Sequence, residues 1–311
     1  MKYGIIIHGG AWDIPDELVD NHLNGINNAL ELGYSLLEDN SNAIDIAEKV
    51  IVLLENDPTF DAGKGSFLNA LGNVEMDAII ATDNYKIGSV AALNNYPNPI
   101  KIARAIYDFD GSVMLVGEGA KIFAEQFGFQ QCKIEDLLVG RELKRYLKLK
   151  NDNSFVPKDA FKQKTRGTVG TVVLDKRGRI AVAVSTGGTP KKPPGRVGDT
   201  PLFGAGAYVE KNKLGVAATG YGEDLIKVLI SRRVLDFYDR GYNPLESTEQ
   251  AISFLSKSVK GLGGVITLGK EGLGLAFNTP RMAFGVQTDE IKSFIGINQK
   301  DREAVPYTHL T

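Results

Sequence analysis

The sequence predicts an α+β protein in which two antiparallel sheets pack face to face with helices outside. Three observations lead there. Strand-like segments group with strand-like segments, and helical ones with helical ones, instead of alternating as β-α-β units. At residue 168 a basic, loop-like stretch gives way abruptly to alternating apolar residues. Finally, 43% hydrophobic residues over 311 positions supply a core large enough for several layers.

Tyr3 to His8 reads as the first strand, ending in Gly9 and Gly10. Leu18, His22, Leu23, Ile26 and Leu30 recur at helical spacing and predict the first helix. The second starts at Asn42 as N-cap, with Asp45 three residues on, runs through Ala47, Ile51 and Leu54, and is closed by Pro58. Residues 74–83 and 86–93 follow as β segments, then helices near 98–108, 117–127 and 133–149 around a short strand at Val113 to Val116. Residues 144–167 carry eight basic side chains against two acidic ones, with little apolar periodicity after Leu149, and predict an exposed, mobile linker over about 150–167. Beyond it, "TVGTVVLD" and "IAVAVST" form a hairpin with Gly178 in the turn. A second hairpin spans 204–220 and turns at Lys211 to Lys213, helices follow at about 222–239 and 244–259, and three short strands run up to Ile297.

Composition excludes several classes. A net charge of -2 with both signs interspersed recruits neither nucleic acid nor an anionic membrane, so the expected partner is a small molecule. The apolar run before Gly9 is too short for a signal peptide, and no stretch reaches the roughly twenty apolar residues of a membrane span, which leads to an expected cytoplasmic location. The single Cys132 excludes an intrachain disulfide framework and a cysteine-clustered metal site.

Catalytic histidines are poorly supplied. His22 fits a helix stripe, His309 is close to the C-terminus, and His8 ends a core strand, where it reads as a hydrogen-bonded structural residue. "DAGKGS" (61–66) is not a phosphate loop, because Gly65 separates Lys64 from Ser66 and the upstream glycine is missing. Thr168 remains. A threonine at a free N-terminus carries its own base, an α-amine of pKa about 8 beside its own hydroxyl. Freeing it requires cutting the Gly167 to Thr168 bond, where glycine leaves the carbonyl open to the Thr168 hydroxyl. On the residues alone the plainer reading, that Thr168 is the first β-branched residue of a strand, has the stronger claim.

The balance changes with several motifs taken together. "IHGGAW" (7–12), "DAGKGSFLNALGNVEMDAIIATD" (61–83), "GTVGTVVLD" (167–175), "STGGTPKKPPGRVGDTPLFGAGAYV" (185–209) and "ATGYGEDLIK" (218–227) agree in order and spacing with one family. The chain resembles the plant-type L-asparaginase and isoaspartyl peptidase family of N-terminal-nucleophile hydrolases, over nearly its whole length. The resemblance implies a four-layer αββα sandwich and one interlocked domain that cuts itself into 1–167 and 168–311. It implies that Thr168 is the nucleophile and that the Thr186 hydroxyl bonds it. Arg196 and Asp199 would hold the substrate's α-carboxylate and α-ammonium, as a planar guanidinium fork and a carboxylate are suited to do. Thr219 and Gly220 would form the oxyanion hole at the start of a helix. Gly9, Gly10 and Asp61 would support maturation around the cleavage site.

Further implications are L-asparagine and β-aspartyl peptides as substrates, no catalytic cofactor and a homodimer of the cleaved unit. A structural sodium would be held by backbone oxygens of Leu54, Glu55, Asp57, Phe60, Ala62 and Lys64. Asp61 departs from the asparagine of many relatives, and an added carboxylate near a nascent ammonium predicts pH-sensitive maturation. The alternatives are a glycosylasparaginase, against which "STGG", the absent secretion signal and the lone cysteine argue, and an uncleaved amino-acid-binding protein that performs no catalysis.

Overall fold

The computed structural model describes residues 1–150 and 167–307, so nearly all of the linker predicted over 150–167, and His309, lie outside the described residues. The first half of the chain forms β1 (Gly4–Trp12), α1 (Val19–Glu38), α2 (Ala43–Asn56), β2 (Met76–Thr82), β3 (Ile87–Leu93), α3 (Pro99–Phe109), β4 (Met114–Val116), α4 (Gly117–Gln126), α5 (Ile134–Leu137) and α6 (Gly140–Lys150). The second forms β5 (Val169–Leu174), β6 (Ile180–Thr186), β7 (Ala207–Val209), β8 (Leu214–Gly220), α7 (Gly222–Val228), α8 (Ile230–Tyr238), α9 (Pro244–Val259), β9 (Gly263–Gly269), β10 (Gly272–Phe277), β11 (Arg281–Thr288), β12 (Phe294–Gly296) and α10 (Gln299–Glu303).

The two-residue period of each strand sorts its side chains between layers. Ile5 and Ile7 of β1, with Val169 and Val173 of β5, pack against Ile26 and Leu30 of α1 and Ile46 and Val50 of α2. Ile6, Val172, Val182 and Val184 point the other way and meet Ala217, Ile266 and Leu268 of the second sheet. That sheet's far face, with Val216, Ala218 and Val265, is covered by Val234, Leu235, Ala251 and Leu255 of α8 and α9. The result is the αββα stack that the sequence predicts. Both sheets are buried on both faces, which explains why their strands read as near-continuous apolar runs. The larger sheet has the order β12-β11-β1-β5-β6-β2-β3-β4 and the smaller β10-β9-β8-β7. Strands from before and after Thr168 therefore interleave in one sheet.

Several local expectations are corrected. The large sheet is mixed, because β4 lies parallel to β3 after the crossover through α3. The first strand does not stop at Gly9; β1 continues to Trp12 through a bulge between His8 and Ala11, which the conformational freedom of Gly10 (φ +97°) permits. The helix expected over 133–149 is two, parted where Leu138 turns extended to pack with Leu68, Val74 and Met76. The helix expected over 222–239 breaks at Leu229, which adopts the left-handed conformation (φ 49°, ψ 57°) and lets Val228 and Ile230 both be buried. Four strands, not three, follow α9, and β11 is a central strand paired with β1. Asn42 is the N-cap residue of α2, yet its side chain makes no capping bond. The Ala43 amide is satisfied instead by Asp175 Oδ2 at 3.1 Å, from the end of β5.

Glu55 near the end of α2 ties three parts of this frame together. Its Oε1 accepts from Ser185 Oγ at 2.7 Å and from the Ile100 amide at 3.1 Å, and Oε2 accepts from Asn98 Nδ2 at 3.1 Å. Burial outweighs these donors and raises its carboxyl from the ordinary 4.5 to about 8. Since the folded value lies above the unfolded one, the stability linked to its proton is fully present below pH 4.5 and is lost as pH rises through about 8. Glu55→Gln, with the Asn98 amide free to flip, should therefore melt at a higher temperature than the natural protein at pH 9 but not at pH 5. Parallel melting curves across that range would refute the assignment.

Candidate active site

Thr168 owes its place to the β5–β6 hairpin. The turn is closed by Gly178 N donating to Asp175 O at 2.8 Å, with Gly178 at φ +75°. The register pairs Val169 with Ser185, and one step further it sets Thr168 opposite Thr186 on the same face. Thr168 Oγ1 donates to Thr186 Oγ1 at 3.2 Å, and Thr186 Oγ1 donates to the Gly167 carbonyl at 3.1 Å while accepting from Gly188 N at 3.0 Å. A hydroxyl has one proton, so the direction of this relay is fixed. Thr186 polarises the carbonyl that precedes Thr168 and takes up the hydrogen bond of the Thr168 hydroxyl.

The Gly167–Thr168 peptide is seated between two walls. A Cβ on Gly10 would stand 3.2 Å from Gly167 Cα and 3.3 Å from Thr168 N, and one on Gly167 would stand 2.7 Å from Asp61 Cβ. Glycine at 10 and 167 is thus what allows the approach. Gly9 lies one residue away, backed by Phe60, whose ring a Cβ would meet at 2.5 Å. The Asp61 carbonyl accepts from Gly187 N at 2.8 Å and its Oδ1 from Phe67 N at 3.1 Å, while Oδ2 has no partner among the described residues. Burial raises the Asp61 carboxyl well above the carboxylate range against the pull of the Phe67 amide, Lys192 and Arg196, and Glu142 adds to the rise. The sequence suggested an extra negative charge here; the interior favours the neutral acid instead. His8 is likewise neutral: burial drives its ring down to about 3 against a smaller opposing pull from the Thr168 backbone. The Thr168 backbone is the partner its ring faces, although neither ring nitrogen makes a hydrogen bond of regular geometry among the described residues.

Arg196 and Asp199 stand in one loop, the first partly and the second fully buried. Arg196 does not pair with Asp199 but with Glu223 of α7, through Nε to Oε1 at 2.8 Å and Nη2 to Oε2 at 2.7 Å. Burial raises the Asp199 carboxyl to about 7, with Arg196 opposing, and its Oδ2 has no partner among the described residues. A buried polar atom left without a partner costs about 1–3 kcal/mol, and more when it is charged. Sequence reasoning missed Glu223, and also Lys192, which is 2% exposed. Lys192 Nζ donates to Glu75 O at 2.5 Å, and its charge faces Asp77, Glu75 and Asp61. Nothing in the sequence around Lys192 signalled that burial.

Thr219 and Gly220 end β8. Thr219 Oγ1 accepts from Ala11 N at 3.3 Å, which leaves its proton to give. Gly220 (φ +151°) abuts β9 so closely that a Cβ would come within 2.6 Å of Gly263 Cα. Gly167, Thr168, Thr186, Arg196, Asp199 and Gly220 bound one cavity of about 10 Å³, room for a single water. Thr219 lies behind that wall. A groove of about 750 Å³ elsewhere, along Asp45, Glu48, Leu53 and Arg104, holds none of these groups, and its Arg104 is already paired with Asp45, Glu48 and Asp108.

The loop after α2 supplies neutral oxygens. The carbonyls of Leu54, Glu55 and Asp57 each accept one amide hydrogen, from Asp57, Lys64 and Phe60 respectively, and keep a second lone pair. Gly63 (φ +56°) sits where the Glu55 and Pro97 carbonyls converge, 2.5 and 2.6 Å from where its Cβ would be. This donor type suits a hard cation. Among the described residues no cluster of three or more histidine, cysteine or acidic side chains could hold a metal.

A family model described as "Asparaginase" matches residues 1–297. The chain belongs to that asparaginase family. Its layered architecture is the N-terminal-nucleophile hydrolase fold of the family. It is 37% identical over 308 residues to the isoaspartyl peptidase/L-asparaginase of Xenopus laevis, with 98% of each chain covered. To the Homo sapiens protein of the same name it is 38% identical over 270 residues, covering 86% of this chain and 87% of the other. A probable isoaspartyl peptidase/L-asparaginase of Drosophila pseudoobscura is 34% identical over 311 residues, with 94% and 95% covered.

The neutral Asp61 makes a prediction about the Gly167–Thr168 bond. If Thr168 attacked the Gly167 carbonyl, as the family resemblance implies, negative charge would develop beside Asp61, and an ionised carboxylate there would oppose it. Conversion of the precursor, followed on gels against pH, should slow as pH rises through the Asp61 titration, whereas Asp61→Asn should lack that inflection. Superimposable profiles would sink the idea.

Proposed function

We propose that the protein is an autoprocessing amidohydrolase that releases ammonia from L-asparagine, or an amino acid from β-aspartyl peptides, through Thr168. The observation that carries this reading is the hydroxyl relay from Thr168 through Thr186 to the Gly167 carbonyl. It aims one nucleophile at the one peptide bond whose rupture would give Thr168 a free amine.

Maturation comes first. The Thr168 hydroxyl adds to the Gly167 carbonyl, the amide C–N bond breaks to leave an ester, and water hydrolyses that ester to a Gly167 carboxylate and a free Thr168 amine. The fragments 1–167 and 168–311 stay together because their strands interleave in one sheet. A 10 Å³ cavity cannot admit an amino acid, so departure of Gly167 from Thr168 also opens the site. In turnover the amine takes the hydroxyl proton and Oγ1 adds to the substrate's side-chain carbonyl. Thr219 and Gly220 hold the oxyanion, where a single such donor is worth about 3 kcal/mol. Ammonia or the peptide's amino acid leaves with the proton, and water then frees aspartate from the acyl-enzyme. Arg196 receives the α-carboxylate and Asp199 the α-ammonium, which explains the unmatched carboxylate in that loop.

The relatives named isoaspartyl peptidase/L-asparaginase support both substrates. We extend the proposal to a homodimer of the cleaved unit in the cytoplasm, following the family expectation. Among the described residues no helix is long and apolar enough to cross a membrane. The chemistry needs no cofactor, since the nucleophile, base and oxyanion donors all come from the chain. We also assign a structural sodium to the carbonyls of Leu54, Glu55, Asp57, Phe60, Ala62 and Lys64. It would raise the melting temperature in sodium chloride over choline chloride at equal ionic strength, and equal temperatures in the two salts would remove that assignment.

Intact-mass spectrometry of the natural chain should show two fragments that part before Thr168, with ammonia release from asparagine. Thr168→Ala should remain one chain and lose activity by several orders of magnitude. Activity from an uncut natural chain would overturn the mechanism.

A further inference from the structure

The unusual feature of the Arg196 loop is a pairing that does not occur. An arginine and an aspartate three residues apart, the aspartate buried and the arginine side chain only 12% exposed, would ordinarily join by charge-assisted bonds. Here Asp199 Oδ2 is without a partner among the described residues, while Arg196 gives its Nε–Nη2 edge to Glu223 at 2.8 and 2.7 Å. Two glycines make room for this arrangement. A Cβ on Gly198 would stand 2.9 Å from Nη1, and one on Gly222 would stand 2.8 Å from Nη2. A guanidinium carries five donors in a fixed plane, so engaging one edge fixes the direction of the other. The Nη1–Nη2 edge is left to accept a second carboxylate, in a loop that bounds the cavity beside Thr168.

We infer that Glu223 is a positioning residue that holds Arg196 off Asp199 and so keeps the two halves of the amino-acid clamp separately charged and open. This rests on the hydrolase reading above. Three charged groups face Asp199: Arg196 from its own loop, Asp77 from β2 and Glu223 from α7. Two of them are acidic and add to the effect of burial, which leaves the carboxyl near 7 with Arg196 opposing. A substrate ammonium supplies the missing partner. Without the Glu223 charge, Arg196 becomes a half-buried cation with one unmatched edge and the unmatched Asp199 carboxylate as the charge that attracts it, and the pair closes on itself.

The test compares the natural protein, Glu223→Gln and Glu223→Asp. In the natural protein KM for asparagine should fall as pH rises through about 7, as Asp199 ionises. In Glu223→Gln, KM should rise about ten-fold or more and kcat should fall by a smaller factor, the pattern of lost ground-state binding. Its KM inflection should also move to lower pH, because Asp199 then pairs with Arg196; a merely structural lesion would not move that inflection. Inhibition by L-aspartate should weaken by a similar factor, while inhibition by 3-aminopropanoate, which lacks the α-carboxylate, should change less. Glu223→Asp keeps the charge and should recover part of the loss. Completed self-cleavage and an unchanged melting temperature identify variants that fold, and if Glu223→Gln fails this check, Glu223→Asp carries the comparison. An unchanged KM and pH profile in Glu223→Gln overturns the inference. So does a lower KM, which would mean that Glu223 competes with substrate for Arg196. If the natural protein neither cuts itself nor releases ammonia, the hydrolase reading fails and takes this inference with it.

Discussion

The register of the β5–β6 hairpin is the constraint on which the site depends. It puts Thr168 across from Thr186, so that the Thr168 hydroxyl donates to Thr186 and the Thr186 hydroxyl to the Gly167 carbonyl. A slip of one residue would turn Thr168 to the opposite face of the sheet, away from its partner. The register is secured on several sides: the Asp175 turn closes the hairpin and also caps α2, and β5 and β6 are each paired on their other edge, with β1 and β2. Core packing and chemistry are therefore not separable here. The interactions that stabilise the central sheet also aim the nucleophile.

Around that hairpin the interior works by excluding water. His8, Glu55, Asp61 and Asp199 are all buried, and for each of them burial is the largest cause of a shift toward the neutral form. Charge is retained where geometry compensates it. Arg196 is matched by a bidentate carboxylate and keeps its charge, whereas burial lowers the Lys192 ammonium from its ordinary value against the pull of Asp77, Glu75 and Asp61. This division gives the site a neutral region at the bond to be cut and a charged region a short distance away, suited to a zwitterionic amino-acid head. The same low polarity that makes an unmatched Asp199 costly also makes its match with an ammonium strong.

The sequence by itself determined the layers, because short, near-continuous apolar runs in β1, β5 and β6 and period-3.6 spacing in α1 and α2 are local properties of the chain. It singled out Thr168 by the change of pattern at residue 168, and motif order tied Thr186, Arg196, Asp199, Thr219 and Gly220 to one family. Tertiary structure decided the rest. The break at Leu138, the left-handed Leu229 and the parallel pairing of β4 follow from surfaces far away in sequence, so no local window carries them. The partner of Arg196 is another such case: residues 196 and 223 meet only after α7 docks, so no local window pairs them. Protonation of Asp61 is the last. A sequence gives the carboxyl its ordinary acidity, and only the finished interior, by removing water from one oxygen of that group, decides which form it keeps.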